Sequence, residues 1–382
     1  MSEKRILLVG NGNHQFITNY VHWLKKSTKS NFIVDILSYT KVKDENKKYY
    51  NTVFRMNDRN LIYQIISKIK GVRRYYRFFL YIKIIKTLPL YDVVHFHFIS
   101  IDSYFIIEHF KKNTTSKIIL SIWGSDMYRV NSTSEKGLIE ACQKADALTF
   151  TNQKSIDYFK MKYNWNKNNL KLCRFGLTPL ENLKKLTTTR LECKKQLNWN
   201  PKKRAVTIGY NLYTAQQHLE ILTQFDNDST KELIDEIQLI LPITYGGTPK
   251  YKNQLLEKLK KLPFEYIIYD TFLTDEKVAQ IRKASDIMIQ LQLTDQFSGS
   301  MQEHLYSRNV VITGSWLPYG TMKENGAWFI EIDKLEELYK VIPEIIKDFE
   351  KYELKTKNNP QVISELSSWD KNIYSWIDLY NS

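Results

Sequence analysis

The segment TDQFSGSMQE carries an aspartate, two serines, a glycine and a glutamate at the start of a helical pattern. Asp295 follows a strand-like run, Ser298, Gly299 and Ser300 open the helix, and Glu303 lies within its first two turns. The free N–H groups and the positive dipole end of such a helix form a cradle for a diphosphate. Glu303 would then contact a sugar or a ribose. The alternative is a capped helix with an exposed glutamate.

A second candidate loop, GNGNH, follows the first apolar run of the chain. Gly10, Gly12 and Asn13 form a turn that a phosphate or a sugar can approach closely, and His14 can exchange protons near neutral pH. A dinucleotide fingerprint would need glycine where Gln15 stands, and the acid expected after the second strand is absent. NAD is therefore not the expected ligand. A purely structural turn is the alternative.

Two places in the sequence carry side chains of the types that bind metal ions. His95 and His97 share one face of the run YDVVHFHF, but no third ligand cluster follows. We favour packing or hydrogen bonding for these histidines. The triplet Asp226-Asn227-Asp228 imitates a metal-binding DxD, yet it follows a helical run rather than a strand, so we interpret it as a solvated helix end. We expect no metal.

Asp126 lies in WGSD, at the end of another strand-like run, next to Trp123 and a flexible glycine. A carboxylate at this position could act as general base on an acceptor hydroxyl. The alternative is that Asp126 caps the following helix.

These candidates lie at the ends of apolar runs that alternate with helical patterns, which implies parallel sheets covered on both faces. The runs span residues 5–10, 31–39, 91–98, 117–124 and 147–152, and the alternation restarts at 204–211, 236–243, 265–270, 286–291 and 310–314. We predict an α/β fold of two Rossmann-like, doubly wound domains facing across a cleft, with ligands at the carboxyl ends of the strands.

The predicted boundaries follow the changes in composition. They are a first domain at 1–178, a polar, lysine-rich linker at 179–203, a second domain at 204–360 and a capping or crossing helix at 361–382.

The order of these motifs resembles the GT-B glycosyltransferases, and among them glycosyltransferase family 4, over nearly the whole chain. GNGN, DVVHFHF, SIWGSD and the pair Asp295 and Glu303 correspond to that family's Gly-rich loop, DVVHxH strand, HGSD turn and Glu-seven residues-Glu motif. By this resemblance, Glu303 contacts the donor ribose, Asp295 the donor sugar hydroxyls, and Gly299 with Ser300 the diphosphate. Helix dipole and hydrogen-bond donors would stabilise the phosphate charge without Mg²⁺.

The sequence departs from family 4 at several of these positions. Trp123 replaces the histidine of HGSD, and the phosphate-clamping Arg and Lys are replaced within GYNLYTAQQHLEIL. That stretch and PITYGG look more like the fucosaminyl-transfer enzymes of enterobacterial common antigen, whose asparagine and histidine pair is matched by Asn211 and His218. The predicted donor-binding residues are Asn211, His218, Tyr245, Gly246, Asp295, Phe297, Ser298, Gly299, Ser300 and Glu303; the acceptor-side residues are Gly10, Gly12, Asn13 and Trp123; the catalytic candidates are Asp126, His14 and Glu303.

The charge of the chain favours an anionic partner, because 382 residues include 56 Lys and Arg against 41 Asp and Glu, a net charge of +15. Residues 61–90 contain seven basic residues, no acidic ones and six Tyr or Phe at helical spacing. We predict one or two basic amphipathic helices that lie on an anionic membrane surface. An ordinary solvated helix face is the alternative. No nucleic-acid-binding motif accompanies the charge.

No run approaches about 18 uncharged apolar residues, and the first residues do not form a signal peptide. The three cysteines lack CxxC spacing, which favours reduced, buried thiols. We therefore predict a cytoplasmic protein, peripheral on the inner face of the plasma membrane.

Together these features predict a hexosyltransferase of the EC 2.4 class, acting from a nucleotide-diphosphate sugar on an acceptor hydroxyl of a lipid-linked glycan in surface polysaccharide biosynthesis. Two alternatives remain. A sugar-nucleotide 2-epimerase has the same fold, although its carboxylate and histidine set is not evident here. A non-catalytic sugar-nucleotide binding protein would bind the donor and leave it intact.

Overall fold

The structure, a computed structural model, describes residues 3–27, 31–55, 69, 72–99, 101–128, 130–295 and 297–382. The chain forms two compact units. The first comprises Met1–Gly176 with Asn372–Ser382, and the second comprises Leu177–Lys371. Each unit is an α/β domain built on its own parallel sheet, as predicted.

The sheet of the first unit has seven parallel strands in the order β3-β2-β1-β4-β5-β6-β7. The order reverses between β1 and β4, which lie side by side. Their apolar side chains are buried because helices cover both faces of the sheet. The strands are β1 (Lys4–Gly10), β2 (Phe32–Ser38), β3 (Val53–Arg55), β4 (Val93–His97), β5 (Lys117–Ser121), β6 (Ala147–Phe150) and β7 (Leu170–Leu172).

The described helices of this unit, apart from the last helix of the chain, connect these strands. They are α1 (Gln15–Lys26), α2 (Asp44–Lys47), α3 (Val72–Ile85), α4 (Ile101–Asn113), α5 (Ser125–Tyr128), α6 (Ser132–Lys144) and α7 (Gln153–Tyr163). Strands β3 and β7 were not expected from the sequence, because each has only three residues and neither forms a continuous apolar run.

The sheet of the second unit has six parallel strands in the order β10-β9-β8-β11-β12-β13, which reverses between β8 and β11. The strands are β8 (Arg204–Ile208), β9 (Ile237–Pro242), β10 (Glu265–Tyr269), β11 (Ile287–Gln290), β12 (Val310–Gly314) and β13 (Ile330–Ile332). The described α-helices are α8 (Thr178–Lys185), α9 (Arg190–Gln196), α10 (His218–Gln224), α11 (Asp228–Lys231), α12 (Pro249–Lys261), α13 (Asp275–Ala284), α14 (Gly299–Tyr306), α15 (Gly320–Glu324), α16 (Leu338–Lys347), α17 (Phe349–Lys355) and α18 (Asn359–Ser367).

The segment 179–203, predicted as a linker, contains α8 and α9 and belongs to the second unit. Leu180, Leu183 and Cys193 are buried in that unit, while most of the lysines around them face solvent. The composition of this segment indicates a linker because polar residues and lysines dominate it. The few apolar residues at helical spacing are nevertheless enough to pack a short helix.

The last helix, α19 (Trp369–Asn381), returns the chain to the first unit. Lys4 Nζ donates to the carbonyl of Tyr380 at 2.9 Å, and Trp376 Nε1 donates to the carbonyl of Arg174 at 2.9 Å. The Tyr380 and Trp376 side chains are buried. The C-terminal residues thus complete the core of the N-terminal domain.

Candidate functional site

In the second unit, the strand order reverses beside the carboxyl end of β8, the place where open α/β sheets bind ligands. Gly209 follows β8 and has a φ of 62°. A Cβ on Gly209 would lie 2.9 Å from Gln216 Oε1 and 2.9 Å from His218 Nε2. Only glycine fits there, and polar atoms border the space beside it.

His218 is fully buried and keeps one ring nitrogen without a partner. Its Nδ1 lies 3.5 Å from the Tyr251 hydroxyl, whereas Nε2 has no hydrogen-bond partner among the residues the structure describes. Burial lowers the pKa of His218 to about 4, so the ring is neutral at pH 7. Buried polar atoms without partners are uncommon in folded proteins, so this nitrogen is a candidate ligand contact.

The loops after β8 and β9 adjoin each other and carry three of the predicted donor-binding residues, and His218 begins the helix that follows the first loop. The backbone N–H of Leu212 donates to the carbonyl of Tyr245 at 2.8 Å. Asn211 Oδ1 accepts from the backbone N–H of Tyr213 at 2.9 Å. Gly246 has a φ of 80°, and a Cβ there would meet the Tyr213 ring at 2.9 Å. The two loops approach each other tightly, and Tyr245 on the second loop is 47% exposed.

The helix predicted to cradle a diphosphate begins at Gly299. Ser298 caps it, since Ser298 Oγ accepts from the backbone N–H of Met301 at 3.2 Å. Ser300 is buried, and its hydroxyl has no partner within the described ranges. The helix therefore presents the Ser300 hydroxyl at its positive end, which favours an anion.

Glu303 is buried, so the alternative of an exposed glutamate is wrong. Its Oε2 accepts from Nε of Arg282 at 2.9 Å, and both side chains are about 8% exposed. Burial raises the pKa of Glu303, and the Arg282 charge opposes that rise. Sequence reasoning missed Arg282 because it lies in α13, 21 residues before its partner. The proposed ribose contact of Glu303 stays a prediction.

Asp295 is hydrogen-bonded to a buried tyrosine. The Tyr319 hydroxyl donates to Asp295 Oδ2 at 2.5 Å, and the same hydroxyl accepts from Gln290 Nε2 at 3.3 Å. Phe297 packs against the apolar cluster that includes Met301. Tyr319 was not identified from the sequence, because it lies beyond the next strand, β12, and carries no motif.

In the first unit, the predicted loop after β1 is held by internal hydrogen bonds. The backbone N–H of Gly12 donates to Ser38 Oγ at 3.1 Å. Asn13 Oδ1 accepts from the backbone N–H of Lys43 at 2.8 Å, and its Nδ2 donates to the carbonyl of Lys41 at 2.7 Å. These contacts favour the structural alternative for Gly12 and Asn13.

His14 caps α1, because its Nδ1 accepts from the backbone N–H of Phe16 at 3.3 Å. Burial lowers the pKa of His14, so the ring is neutral at pH 7 and carries its proton on Nε2. In this tautomer Nε2 donates a hydrogen bond. A base at that nitrogen would require the other tautomer and the loss of the cap. Before this loop, a Cβ on Gly10 would lie 3.3 Å from the His97 carbonyl, so close packing against β4 explains that glycine.

Asp126 connects the loops after β4 and β5. Its Oδ1 accepts from the backbone N–H groups of Gly124 at 2.7 Å and Trp123 at 3.0 Å, and its Oδ2 accepts from Ile99 at 3.1 Å. Burial raises the pKa of Asp126 to about 6, while these backbone bonds oppose the rise. Both oxygens are engaged with the backbone, but Asp126 lies inside α5 and its amide donors precede it in the chain, so the predicted cap of the following helix is wrong.

The two histidines of β4 differ in their contacts, although their ring centroids are only 4.0 Å apart. His95 is hydrogen-bonded through Nδ1 to the Tyr380 hydroxyl at 2.6 Å and through Nε2 to Ser121 Oγ at 2.7 Å. Both nitrogens of His97 are buried and lack a partner in the described part of the chain.

No group of three or more metal-ligating side chains occurs among the described residues. Asp226, from the DxD-like triplet, pairs with Lys231 at 2.9 Å and Lys258 at 3.2 Å. These contacts satisfy its charge without a cation. The expected independence from metal stays a prediction.

The basic segment 61–90 is only partly described. Residues 61–68 and the side chains of Arg73, Arg74 and Arg77 lie outside the described residues. Helix α3 exposes Tyr75 and Phe79. In the ranges that the structure describes, no helix is long and apolar enough to cross a membrane.

Similar proteins place this arrangement in a known class. A glycosyltransferase from Rickettsia africae has 15% sequence identity, covers 100% of this chain and 98% of its own, and has a TM-score of 0.76. Sucrose-phosphate synthase from Thermosynechococcus elongatus has 14% identity, coverage of 99% and 98%, and a TM-score of 0.74. HepE of Anabaena, solved with UDP and glucose, has 12% identity, coverage of 99% and 99%, and a TM-score of 0.73. No curated protein sequence matches significantly.

These likenesses and the two parallel sheets show that the chain has the GT-B fold of glycosyltransferases. Within that class, residues 5–152 match the family described as glycosyl transferase 4-like. The predicted fold class, two α/β domains each built on a parallel sheet, is confirmed, and the resemblance to family 4 is confirmed over residues 5–152.

Proposed function

We propose that this protein is a hexosyltransferase that moves a sugar from a UDP-sugar to an acceptor hydroxyl. The observation that carries the proposal is that two buried atoms, His218 Nε2 and Ser300 Oγ, have no hydrogen-bond partner among the described residues. They lie at the amino ends of α10 and α14, the first α-helices after β8 and β11, which are the two strands at the reversal of the second sheet. Hydrogen-bond donors fixed at such a point bind phosphate oxygens. HepE of Anabaena, which has the same fold, is solved with UDP and with UDP-glucose, and this supports uracil as the base.

We assign the diphosphate to the amino end of α14, with Ser298, Gly299 and Ser300 as its contacts. Asp295 and Glu303 would bind hydroxyls of the sugar and the ribose. Tyr319 and Arg282 hold these two carboxylates by the contacts described above. The remaining donor contacts are assigned to Asn211, His218, Tyr245, Gly246 and Phe297.

The first unit would present the acceptor. Of the two candidate bases, Asp126 has both oxygens engaged, and His14 is arranged to donate from Nε2. We therefore propose that His14 hydrogen-bonds an oxygen of a substrate, and that Asp126 fixes the two loops beside it. Transfer needs no metal in this proposal, so a chelator such as EDTA should leave the rate unchanged.

A thermal-shift titration with nucleoside diphosphates tests the donor site. UDP should raise the melting temperature, since a ligand at about 100 times its Kd stabilises the native state by about 2.7 kcal/mol. For Ser300→Ala, the same rise should need about tenfold more UDP while the free protein stays stable, because Ser300 Oγ has no hydrogen-bond partner among the described residues. Ser307→Ala is the matched control, since Ser307 Oγ donates to the carbonyl of Glu303 in the same helix. Failure of every nucleotide, or equal effects of the two variants, would exclude this site.

The acceptor is proposed to be a lipid-linked glycan of surface polysaccharide biosynthesis, met at the cytoplasmic face of the membrane. The support is the composition of residues 61–90 and the exposure of Tyr75, Phe79 and Leu90, which are 75%, 60% and 81% exposed. Flotation with anionic vesicles should recover the protein in the lipid fraction, and replacing Tyr75 and Phe79 by serine should reduce that fraction. Equal recovery with neutral and anionic vesicles, or no recovery, would remove the lipid claim.

A further inference from the structure

Four aromatic rings meet at the carboxyl edge of the first sheet, and we call them the ring cluster: His14, Phe16, Trp123 and Phe175. They follow β1, β5 and β7 in the chain. Ring centroids are 4.8 Å apart for His14 and Trp123, 5.8 Å for Phe16 and Trp123, and 5.7 Å for Phe16 and Phe175, which are stacked. The cluster thus brings together three separate loops at one edge of the sheet.

Two phenylalanines on this edge remain exposed. Phe16 is 41% exposed, and Phe98, whose ring centroid lies 6.3 Å from that of Trp123, is 39% exposed. Phe98 also has a φ of 65°, a left-handed backbone that costs energy for a residue with a Cβ. Backbone strain of this kind is concentrated at functional sites, so the exposed rings have a candidate role in binding.

Beside the cluster lie buried polar atoms that have no hydrogen-bond partner among the described residues. The ring centroid of His97 lies 6.2 Å from that of Trp123 and 6.1 Å from that of Phe175. Both nitrogens of His97 and Nε1 of Trp123 are buried without a hydrogen-bond partner among the described residues. His95, two residues earlier on the same strand face, has both nitrogens paired. Burial alone therefore does not account for the unpaired atoms of His97.

A pyranose ring matches this combination of groups. Its C–H face suits the electron-rich face of an aromatic ring, and its hydroxyls both donate and accept hydrogen bonds. Burial lowers the pKa of His97 to about 3, so at neutral pH it offers one donor and one acceptor and no charge. An uncharged sugar fits better than a phosphorylated one.

We propose that the ring cluster and Phe98 bind the pyranose ring of an uncharged acceptor sugar, with His97 and the indole N–H of Trp123 bound to its hydroxyls. The ring nitrogens of His97 and Nε1 of Trp123 are buried, so a sugar reaches them when one of the exposed rings, Phe16 or Phe98, turns aside. This inference rests on the proposed function, because it names the acceptor class of that transferase.

Saturation-transfer NMR on the full chain tests the site with methyl glycosides of glucose, galactose, mannose, fucose and N-acetylglucosamine, and with glucose 6-phosphate. At least one methyl glycoside should bind, and glucose 6-phosphate should bind at least tenfold more weakly than it. Phe16→Ala should weaken glycoside binding at least tenfold. Tyr374→Ala is the matched control, because Tyr374 is also 41% exposed in this unit but lies on α19. Absence of binding by every glycoside, or equal effects of the two variants, overturns the proposal.

The histidine pair separates a ligand contact from a structural role. His97→Phe removes no hydrogen bond to any described residue and should keep or raise the melting temperature, while weakening glycoside binding at least tenfold. His95→Phe breaks bonds to Tyr380 and Ser121 and should lower the melting temperature. If His97→Phe binds glycosides like the wild type, or loses as much stability as His95→Phe, His97 is not a sugar contact.

A UDP titration on the same proteins distinguishes this inference from the proposed function. Phe16→Ala and His97→Phe should keep the UDP-induced rise in melting temperature. A wild type that binds UDP but no glycoside contradicts the acceptor site alone. A wild type that binds neither contradicts both proposals.

Discussion

The two units place their candidate sites at the same topological position, but they fill it with different chemistry. At the reversal of the first sheet, His14, Phe16 and Trp123 present ring faces. At the reversal of the second, Gly209 leaves space beside His218, and Ser300 lies in the first turn of the helix that begins at Gly299. One position suits the C–H face of a sugar, and the other suits the oxygens of a phosphate.

The difference shows how one fold can offer two kinds of binding surface. A parallel sheet fixes where loops converge, because the carboxyl ends of its strands share one edge. The side chains on those loops then decide what binds, since aromatic faces attract apolar C–H groups and fixed N–H donors attract anions. Changes that remove one kind of group should therefore affect one unit and spare the other.

The largest expected effect comes from breaking the buried ion pair of the second unit. Arg282→Met leaves the Glu303 carboxylate buried without its partner, which should lower the free energy of unfolding of that unit by about 3–5 kcal/mol. Urea denaturation followed by circular dichroism measures the loss. The double variant Arg282→Met with Glu303→Gln should recover most of it, because no uncompensated charge remains.

The control for this variant is an ion pair of the same unit that is partly exposed. Lys252 Nζ lies 2.9 Å from Asp270 Oδ2, with side chains 34% and 48% exposed. Lys252→Met should change stability by no more than about 1 kcal/mol. Equal losses for the Arg282 and Lys252 variants would mean that the Arg282 pair is solvated.

A smaller effect is expected from pH. The pKa of His218 is about 4 in the folded chain and about 6.5 in the unfolded chain, so the unfolded state binds more protons between these values. Stability from this group is present above pH 6.5 and is lost as the pH falls, by about 2 kcal/mol between pH 7 and pH 5. His218→Asn should remove this part of the pH dependence. An unchanged difference between pH 7 and pH 5 in the variant would show that His218 is not the group responsible.

Much of the fold could be predicted from the sequence, because buried parallel strands are continuous apolar runs, as in β1 and β9. Edge strands such as β3 could not, since three residues give no periodicity. The helices within 179–203 were missed because their lysines dominate the composition, while the side chains that pack are few.

The candidate site could be predicted only in part. Loops at strand ends and the helix beginning at Gly299 follow from local pattern, and the structure has both. The partners of the predicted residues could not be read, because Arg282 and Tyr319 reach Glu303 and Asp295 from other elements. The engagement of Asp126 by three backbone amides was equally hidden, since a backbone group has no signature in sequence.

The smallest expected effect concerns crowding beside Gly209. Gly209→Ala and Gly326→Ala both place a Cβ on a backbone with positive φ, at 62° and 93°. At Gly326 the nearest atom to that Cβ is Val362 Cγ2 at 3.8 Å, whereas at Gly209 two polar atoms lie at 2.9 Å. The free energy of unfolding from urea denaturation should therefore be about 1 kcal/mol lower for Gly209→Ala than for Gly326→Ala. It should also lose the UDP-induced thermal shift, which Gly326→Ala keeps, because only the first methyl group enters the space beside His218. Equal stabilities together with equal UDP shifts would mean that the space beside Gly209 is not where the nucleotide binds.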